Sequence, residues 1–312
     1  MSNLSPELFQ WLLQALELEA SIFHVGQYCG SWKASTAGFG RAAFHLVVHG
    51  RCWLHQPGVA PVLLTRGDAV FLVRDTPHAI SPEPELRAGE PVRYGTMAPL
   101  PAANGAEPAG VGLVCGFFAF KLGISELIVR SLPDLLLVRA DDPELGALRT
   151  VFELILAETE RDDGSSAAMI ERLTGVLFLY LIRDRMIRDE SAVGLFAAAR
   201  RPEFVGLLRS LIDAPQRNWK LSEMARESGM SRASFFKHFT QTAGCSPGQF
   251  LLALRMQAAG RLLEQGRNVD QVAEGVGYQS TAAFARAFKK YTGQQPGAYR
   301  RNLTAAANAS PA

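Results

Sequence analysis

No stretch of the 312 residues stays apolar over the ~20 positions a bilayer-spanning helix needs, so a membrane protein is not expected. The opening MSNLSPELFQWLLQ has no basic segment leading into an apolar one, which leaves no secretion signal to read. Cysteine is scarce, with four residues and no Cys-x-x-Cys pair. That fits a reducing cytoplasm better than a disulfide framework. The sequence also lacks a phosphate-cradling glycine loop, a Gly-x-Ser-x-Gly elbow and paired catalytic carboxylates, so the reading is not that of an enzyme. Net charge is nearly absent at +2, but that figure hides an asymmetry. From Gln216 onward there are 13 Lys+Arg against 5 Asp+Glu, whereas the rest of the chain has 19 against 25. The basic charge is therefore confined to one end, as phosphate binding requires.

That end carries a duplicated pattern. In LSEMARESGMSRASFFKHF, Leu221, Met224 and Ala225 share a helical face, Gly229 supplies a turn, and Ser231 is placed to cap a second helix. Phe235 and Phe239, four apart, pack that helix back on the first. VDQVAEGVGYQSTAAFARAF repeats each part: Val269, Val272 and Ala273, then Gly277, Ser280, Phe284 and Phe288. The first halves match at an offset of 48 residues and the phenylalanines at 49. Two such copies read as two helix-turn-helix units, with Pro247–Leu263 as one helix of about 25 Å between them. A connector of that size can hold two recognition helices one DNA turn apart, ~34 Å.

Trp219 to Arg301, with the Gly-Tyr-x-Ser run at 277–280, the Phe-x-x-x-Phe pairs and GQQPGAYR at 293–300, resembles the DNA-binding domain of the AraC/XylS family of bacterial transcription regulators. The resemblance implies double-stranded promoter DNA as partner, a cytoplasmic, nucleoid-associated location, a homodimer, activation of transcription and RNA polymerase as a further partner. In a helix-turn-helix the second helix enters the major groove. Its outward positions in the first unit are Arg232, Ala233, Phe236 and Lys237; Phe236 can be read as a thymine-methyl contact or as core. In the second unit they are Thr281, Ala282, Ala285 and Arg286, with Arg286 as the base contact and Lys289 and Lys290 as phosphate contacts.

Before this, the chain changes texture twice. Residues 6–18 predict a short amphipathic helix. From Ala20, short apolar or alternating runs punctuated by Gly and Pro predict strands of a sandwich or barrel. Phe44-His45 with Gly50-x-Cys52-Trp53, then Gly67-Asp68 to His78, then Cys115-Gly116, resemble the cupin sensor domain of some members of the same family, which implies a small jelly-roll barrel. Pro82–Gly112 predicts an excursion between strands. Helices follow over 143–161 and 167–187, used either to cover the barrel or to make a dimer, and then a helical segment over 196–212. The expected organisation is α+β: a cupin/jelly-roll β-barrel sensor domain at 1–135, a helical dimerisation segment at 136–204, and an all-α DNA-binding domain with two helix-turn-helix units at 205–305.

Metal-binding members of the cupin group use His-x-His with a Glu and a later His. Here His45 and His49 are four apart, ~13 Å along a strand, so that full set is missing. What remains is Cys29, His45, His78 and Cys115, each on or beside a predicted strand. These four are open to three readings: a zinc site, a redox-responsive thiol activated by a neighbouring imidazolium or metal, or plain core. The effector is accordingly a small molecule, a metal or an oxidant. The alternatives to a signal-receiving regulator are a cupin-type metalloenzyme fused to a DNA-binding domain, and a DNA-binding protein with no effector.

Overall fold

The structure, a computed structural model, describes residues 5–86, 96–100, 110–142, 146–161, 165–188 and 193–309, with side chains described as far as residue 302. The chain begins with α1 (Pro6–Ala15), β1 (Leu18–Cys29), β2 (Ala42–His49), β3 (Arg51–Gln56), β4 (Val59–Thr65), β5 (Ala69–Leu72) and β6 (Ala79–Ser81). Next come β7 (Thr96–Ala98), β8 (Val111–Phe120), α2 (Ile124–Arg130), β9 (Leu135–Val138), α3 (Gly146–Thr159) and α4 (Ser166–Arg188). The remainder is helical: α5 (Leu195–Ala199), α6 (Pro202–Asp213), α7 (Leu221–Glu227), α8 (Arg232–Ala243), α9 (Pro247–Glu264), α10 (Val269–Gly275), α11 (Thr281–Thr292) and α12 (Pro296–Ala309).

These elements form two compact units that do not follow chain order. One contains Leu18–Ala119 and Leu132–Arg188; the other contains Met1–Glu17, Phe120–Ser131 and Asp189–Ala312. The divisions expected at 135/136 and 204/205 therefore mark runs of sequence rather than compact bodies. Helices α3 and α4 fold with the strands, and α1 and α2 fold with the C-terminal helices.

In the first unit a six-stranded sheet, ordered β7-β1-β8-β2-β5-β9, faces a three-stranded one, ordered β4-β3-β6. The pairings of β2 with β5 and β8, and of β3 with β4 and β6, are antiparallel. Strand β2 reads AAFHLVVH and is buried over its first seven residues. Both of its faces are covered, so its run is apolar rather than alternating. One face sends Ala43 and Val47 into a core with Leu54, Leu64, Val70 and Ile80. On the other, Phe44 meets Phe118, and Phe118 and Phe71 pack on Phe178 of α4, with ring centroids 5.0 and 5.6 Å away. Helix α4 thus covers the barrel's own sheet, the first of the two roles open to the helix pair. Leu154 of α3 and Met169, Val176 and Ile187 of α4 stay exposed. Residues 96–98, expected within a structureless excursion, pair with β1 as β7 through Gln27, Tyr28 and Cys29. Val111 and Gly112, also expected in that excursion, open β8; residues 87–95 and 101–109 of it lie outside the described residues, as do the helix start at 143–145 and residues 162–164 between the two helices.

In the second unit the expected helix over 196–212 is two helices. Pro202 stands at the first position of α6, where its missing N–H costs nothing, and the chain turns through Arg200–Arg201 before it. Helix α1 buries Leu8 and Leu12. Its end is tied to α2, where Ser125 Oγ donates to Ala15 O and accepts from Glu17 N–H. Gly123, at φ +99°, lies against α9: a Cβ there would stand 2.5 Å from Gln257 Cβ and 2.8 Å from Ala253 O. Only glycine meets both demands. Arg261 of α9 donates to Glu17, and Lys121 lies 3.8 Å from both Glu17 and Glu264.

Candidate nucleic-acid interface and barrel site

The two helix-turn-helix units are built alike. Ser231 accepts the N–H of Ser234 at 3.3 Å and Ser280 that of Ala283 at 3.3 Å, so each second helix starts on the expected cap. The turns run through Gly229 at φ +64° and Gly277 at φ +81°. Gly277 has a second constraint, since a Cβ would lie 2.0 Å from Gln216 O. That linker is held by Arg255 of α9, which donates to Pro215 O at 2.8 Å and Arg217 O at 2.9 Å. The phenylalanine pairs are fully buried, with centroids 5.6 Å apart for Phe235–Phe239 and 5.5 Å for Phe284–Phe288. Between the units α9 runs 18 residues, about 27 Å at ~1.5 Å per residue.

Burying one face of each second helix leaves the other outside. Arg232, Ala233 and Lys237 on α8 are exposed, as are Ala282, Arg286, Lys289 and Lys290 on α11, with Thr281 and Ala285 half-buried. Thr281 Oγ1 is also held by Asp270 of α10, which fixes its hydroxyl. Phe236, open to two readings in the sequence, is 46% exposed and is not core. His238, which sequence reasoning left out, is also exposed on α8.

In the barrel, the antiparallel register of β2 and β8 sets His45 opposite Cys115, so their side chains share a face. His45 Nδ1 lies 3.1 Å from Cys115 Sγ, and His45 Nε2 lies 3.2 Å from His78 Nε2. His78 Nδ1 is 2.8 Å from Thr76 O. A carbonyl only accepts, so His78 carries its proton on Nδ1. Burial lowers the pKa of His78, and that of His45 well below the ordinary value, with His78 adding repulsion to the latter. Both rings are therefore neutral, and the network has one consistent assignment. The Cys115 thiol donates to His45 Nδ1, His45 Nε2–H donates to His78 Nε2, and His78 Nδ1–H donates to Thr76 O.

Three of the four expected residues thus meet, and Cys29 is the correction. It lies where a Cβ on Gly110 would be 2.8 Å from its sulfur. Gly110 is five positions before Cys115 on an extended run, ~17 Å away. The three that meet do not fit a zinc ion. Cys115 and His78 approach opposite nitrogens of one imidazole instead of converging on a point, and among the described residues no three His, Cys, Asp or Glu side chains are placed to hold a metal. For the reading as an activated thiol, burial pushes the Cys115 thiol up, the direction opposite to activation.

Beside this network lies a cavity of about 430 Å³, with His45 and Cys115 in its floor. Its walls are Phe23, Tyr28, Phe39, Met97 and Phe117, with His24, Ser35 and Thr36 as the polar side chains among them. The wall residues were missed in the sequence. Alternation along SIFHVGQYC separates Phe23 from its neighbours, but nothing there links it to Phe39, Met97 and Phe117, which the pairing of β1 with β7 and the barrel topology bring near it.

Two family models match the chain: one described as a cupin, over residues 7–186, and one described as a helix-turn-helix domain, over residues 224–302. An HTH-type transcriptional regulator of Haemophilus influenzae is 29% identical over 282 residues, 89% of this chain and 93% of that protein. A Streptomyces lividans protein described as an AraC-like transcription regulator is 30% identical over 268 residues, 84% of this chain and 87% of that protein. Among solved structures, the DNA-binding domain of AdpA, a global transcriptional factor, in complex with a target DNA is 28% identical. It covers 34% of this chain and 96% of that one, with a TM-score of 0.33.

Proposed function

The chain belongs to the AraC-like transcription regulators, with a cupin N-terminal domain and a helix-turn-helix C-terminal domain, and from that premise we propose that it activates promoters as a cytoplasmic homodimer in response to a small molecule held in its barrel. One observation carries the DNA-reading part. Two units with the same turn, cap and buried phenylalanine pair each present one exposed helix face, and those faces hold Arg232, Lys237, Arg286, Lys289 and Lys290. In this reading α8 and α11 enter successive major-groove segments of double-stranded promoter DNA, with α9 as the spacer. Arg286 and Phe236 read bases, while Lys289 and Lys290 neutralise phosphates. The test is binding of the full chain to promoter duplex across a salt series. Affinity is expected to fall steeply as salt rises and to exceed that for scrambled duplex; equal binding to both sequences overturns the reading.

The dimer rests on Met169, Val176 and Ile187, spaced by seven and eleven residues, which makes one exposed apolar stripe along α4. A second copy of the chain is the proposed occupant, giving two DNA-binding halves for two half-sites. The barrel is read as binding and not catalysing. No metal is assigned to its His–His–Cys set, and RNA polymerase is the partner that activation implies.

A further inference from the structure

We infer that the barrel cavity selects an uncharged aromatic molecule, of one or two rings, in preference to any anion or cation. This rests on the reading above that the barrel receives the signal, and it adds the chemical class of the ligand.

Four observations support it. The cavity is lined by aromatic rings and a methionine, and no Asp, Glu, Lys or Arg is among its lining residues. A charged ligand would lose its hydration there with no counter-charge among the lining side chains to replace it, a large cost. In the floor the Cys115, His45 and His78 donors are all directed within the network. In the wall His24 Nε2 is buried without a partner, and burial lowers the pKa of that ring, so the imidazoles offer a neutral surface on which an uncharged hydroxyl can pair. The guanidinium of Arg41 stacks over Phe117, 4.4 Å from its centroid. Arg41 is not itself among the lining residues, its charge is engaged with that ring, and a positive group close by would be repelled.

The rim gives the fourth. Phe23 is 51% exposed, Phe39 61% and Met97 58%. Large apolar side chains left in water singly are ordinary, but three around one mouth make a patch that marks a binding site. Phe23 and Phe39 both lie against Phe117, with centroids 4.9 and 5.6 Å away. A flat ring entering the mouth would be held by offset-stacked and edge contacts from all three. At about 430 Å³ the cavity is toward the small end of ligand pockets, ~300–1,000 Å³, which sets the limit of one or two rings.

The experiment is calorimetric titration of the full chain with three probes of one ring system at physiological salt: 1-naphthol, 1-naphthoate and 1-naphthylmethylammonium. 1-Naphthol is expected to bind at least about tenfold more tightly than either charged probe, a difference of ~1.4 kcal/mol or more. Phe23→Ser and Phe39→Ser are expected to lose at least that factor while keeping the wild-type melting curve, because both side chains are largely exposed. The inference is overturned if 1-naphthol does not bind, if either charged probe binds as well, or if both rim variants bind like the wild type. Binding of 1-naphthoate that is lost in Arg41→Gln would identify an anion site instead. Promoter binding, measured with and without 1-naphthol, separates this from the reading on which it rests. Rim-dependent binding with no change at the promoter keeps the ligand class and removes the signalling role.

Discussion

Replacing Arg286 by Ala tests the assignment of α11 as a base-reading helix. Arg286 is exposed, while the cap at Ser280 and the buried Phe284–Phe288 pair that hold its helix are untouched by the change. Stability should therefore stay within ~0.5 kcal/mol of wild type. If the guanidinium pairs with a guanine edge, its loss costs ~1–3 kcal/mol at the cognate promoter, a drop in affinity of roughly 5- to 150-fold. Scrambled duplex should lose far less. A phosphate contact behaves differently: affinity falls equally on every sequence, and the slope of log K against log salt becomes shallower by ~0.9. Lys289→Gln and Lys290→Gln should show that second pattern, so the three variants calibrate one another. The assay is fluorescence anisotropy of the full chain on cognate and scrambled duplexes at four or more salt concentrations. A cognate affinity equal to wild type, or a loss shared equally by both duplexes, refutes the base-reading assignment.

Four further outcomes are expected. Phe284→Ala, at a fully buried ring between Tyr278 and Phe288, should cost ~3–5 kcal/mol of stability by urea denaturation. Phe236→Ala should leave stability within ~0.5 kcal/mol and weaken promoter binding. The buried histidines make stability depend on pH: His45 and His78 have folded pKa values below the unfolded ~6.5. As pH falls below ~6.5 the unfolded chain takes up protons that the folded chain refuses, so stability present above that pH is lost on acidification. Melting temperature should fall from pH 7 to pH 5, and His45→Gln should fall less; equal slopes would refute the neutral network. Burial raises the thiols of Cys52 and Cys245 to about 12 and pushes that of Cys115 up as well. Iodoacetamide at pH 8 should therefore label native protein at half-buried Cys29 first, read by mass spectrometry; fast labelling of Cys115 would return it to the reactive class.

The DNA-binding half was legible because its determinants are local. Cap, turn and packing pair all fall within about twenty residues, and helical geometry fixes which side chains share a face. The sequence could not show the second reason for Gly277, because the atom it must avoid belongs to Gln216, sixty-one residues earlier. Phe236 was ambiguous for a related reason. A phenylalanine one position from a buried one is read as core or contact only once the partner helix is placed, and Phe204 of α6 packs on Phe235 instead. The strands were legible as strands, but Thr96–Ala98 was not, since three residues beside proline- and alanine-rich sequence carry no periodicity and pair only because β1 offers an edge.

The barrel site shows where local reasoning stops. His45, His78 and Cys115 are separated by 33 and 37 residues, and what joins them is register: β2 against β8 puts His45 opposite Cys115, and the approach to β6 brings His78 to the far nitrogen. Residue type alone suggested a zinc set or an activated thiol. Order along the ring decides otherwise, because an imidazole whose two nitrogens serve two different neighbours relays a proton position and does not hold an ion with them. The division into units follows the same logic. Strand β8 belongs to the barrel, yet three residues beyond it Gly123 packs against the backbone of α9, and Lys121 reaches Glu17 and Glu264. A stretch of seven helical residues with no repeat of its own gives no sign of which body will bury it. That is settled by Gly123, whose missing Cβ is what lets it lie against Ala253 and Gln257.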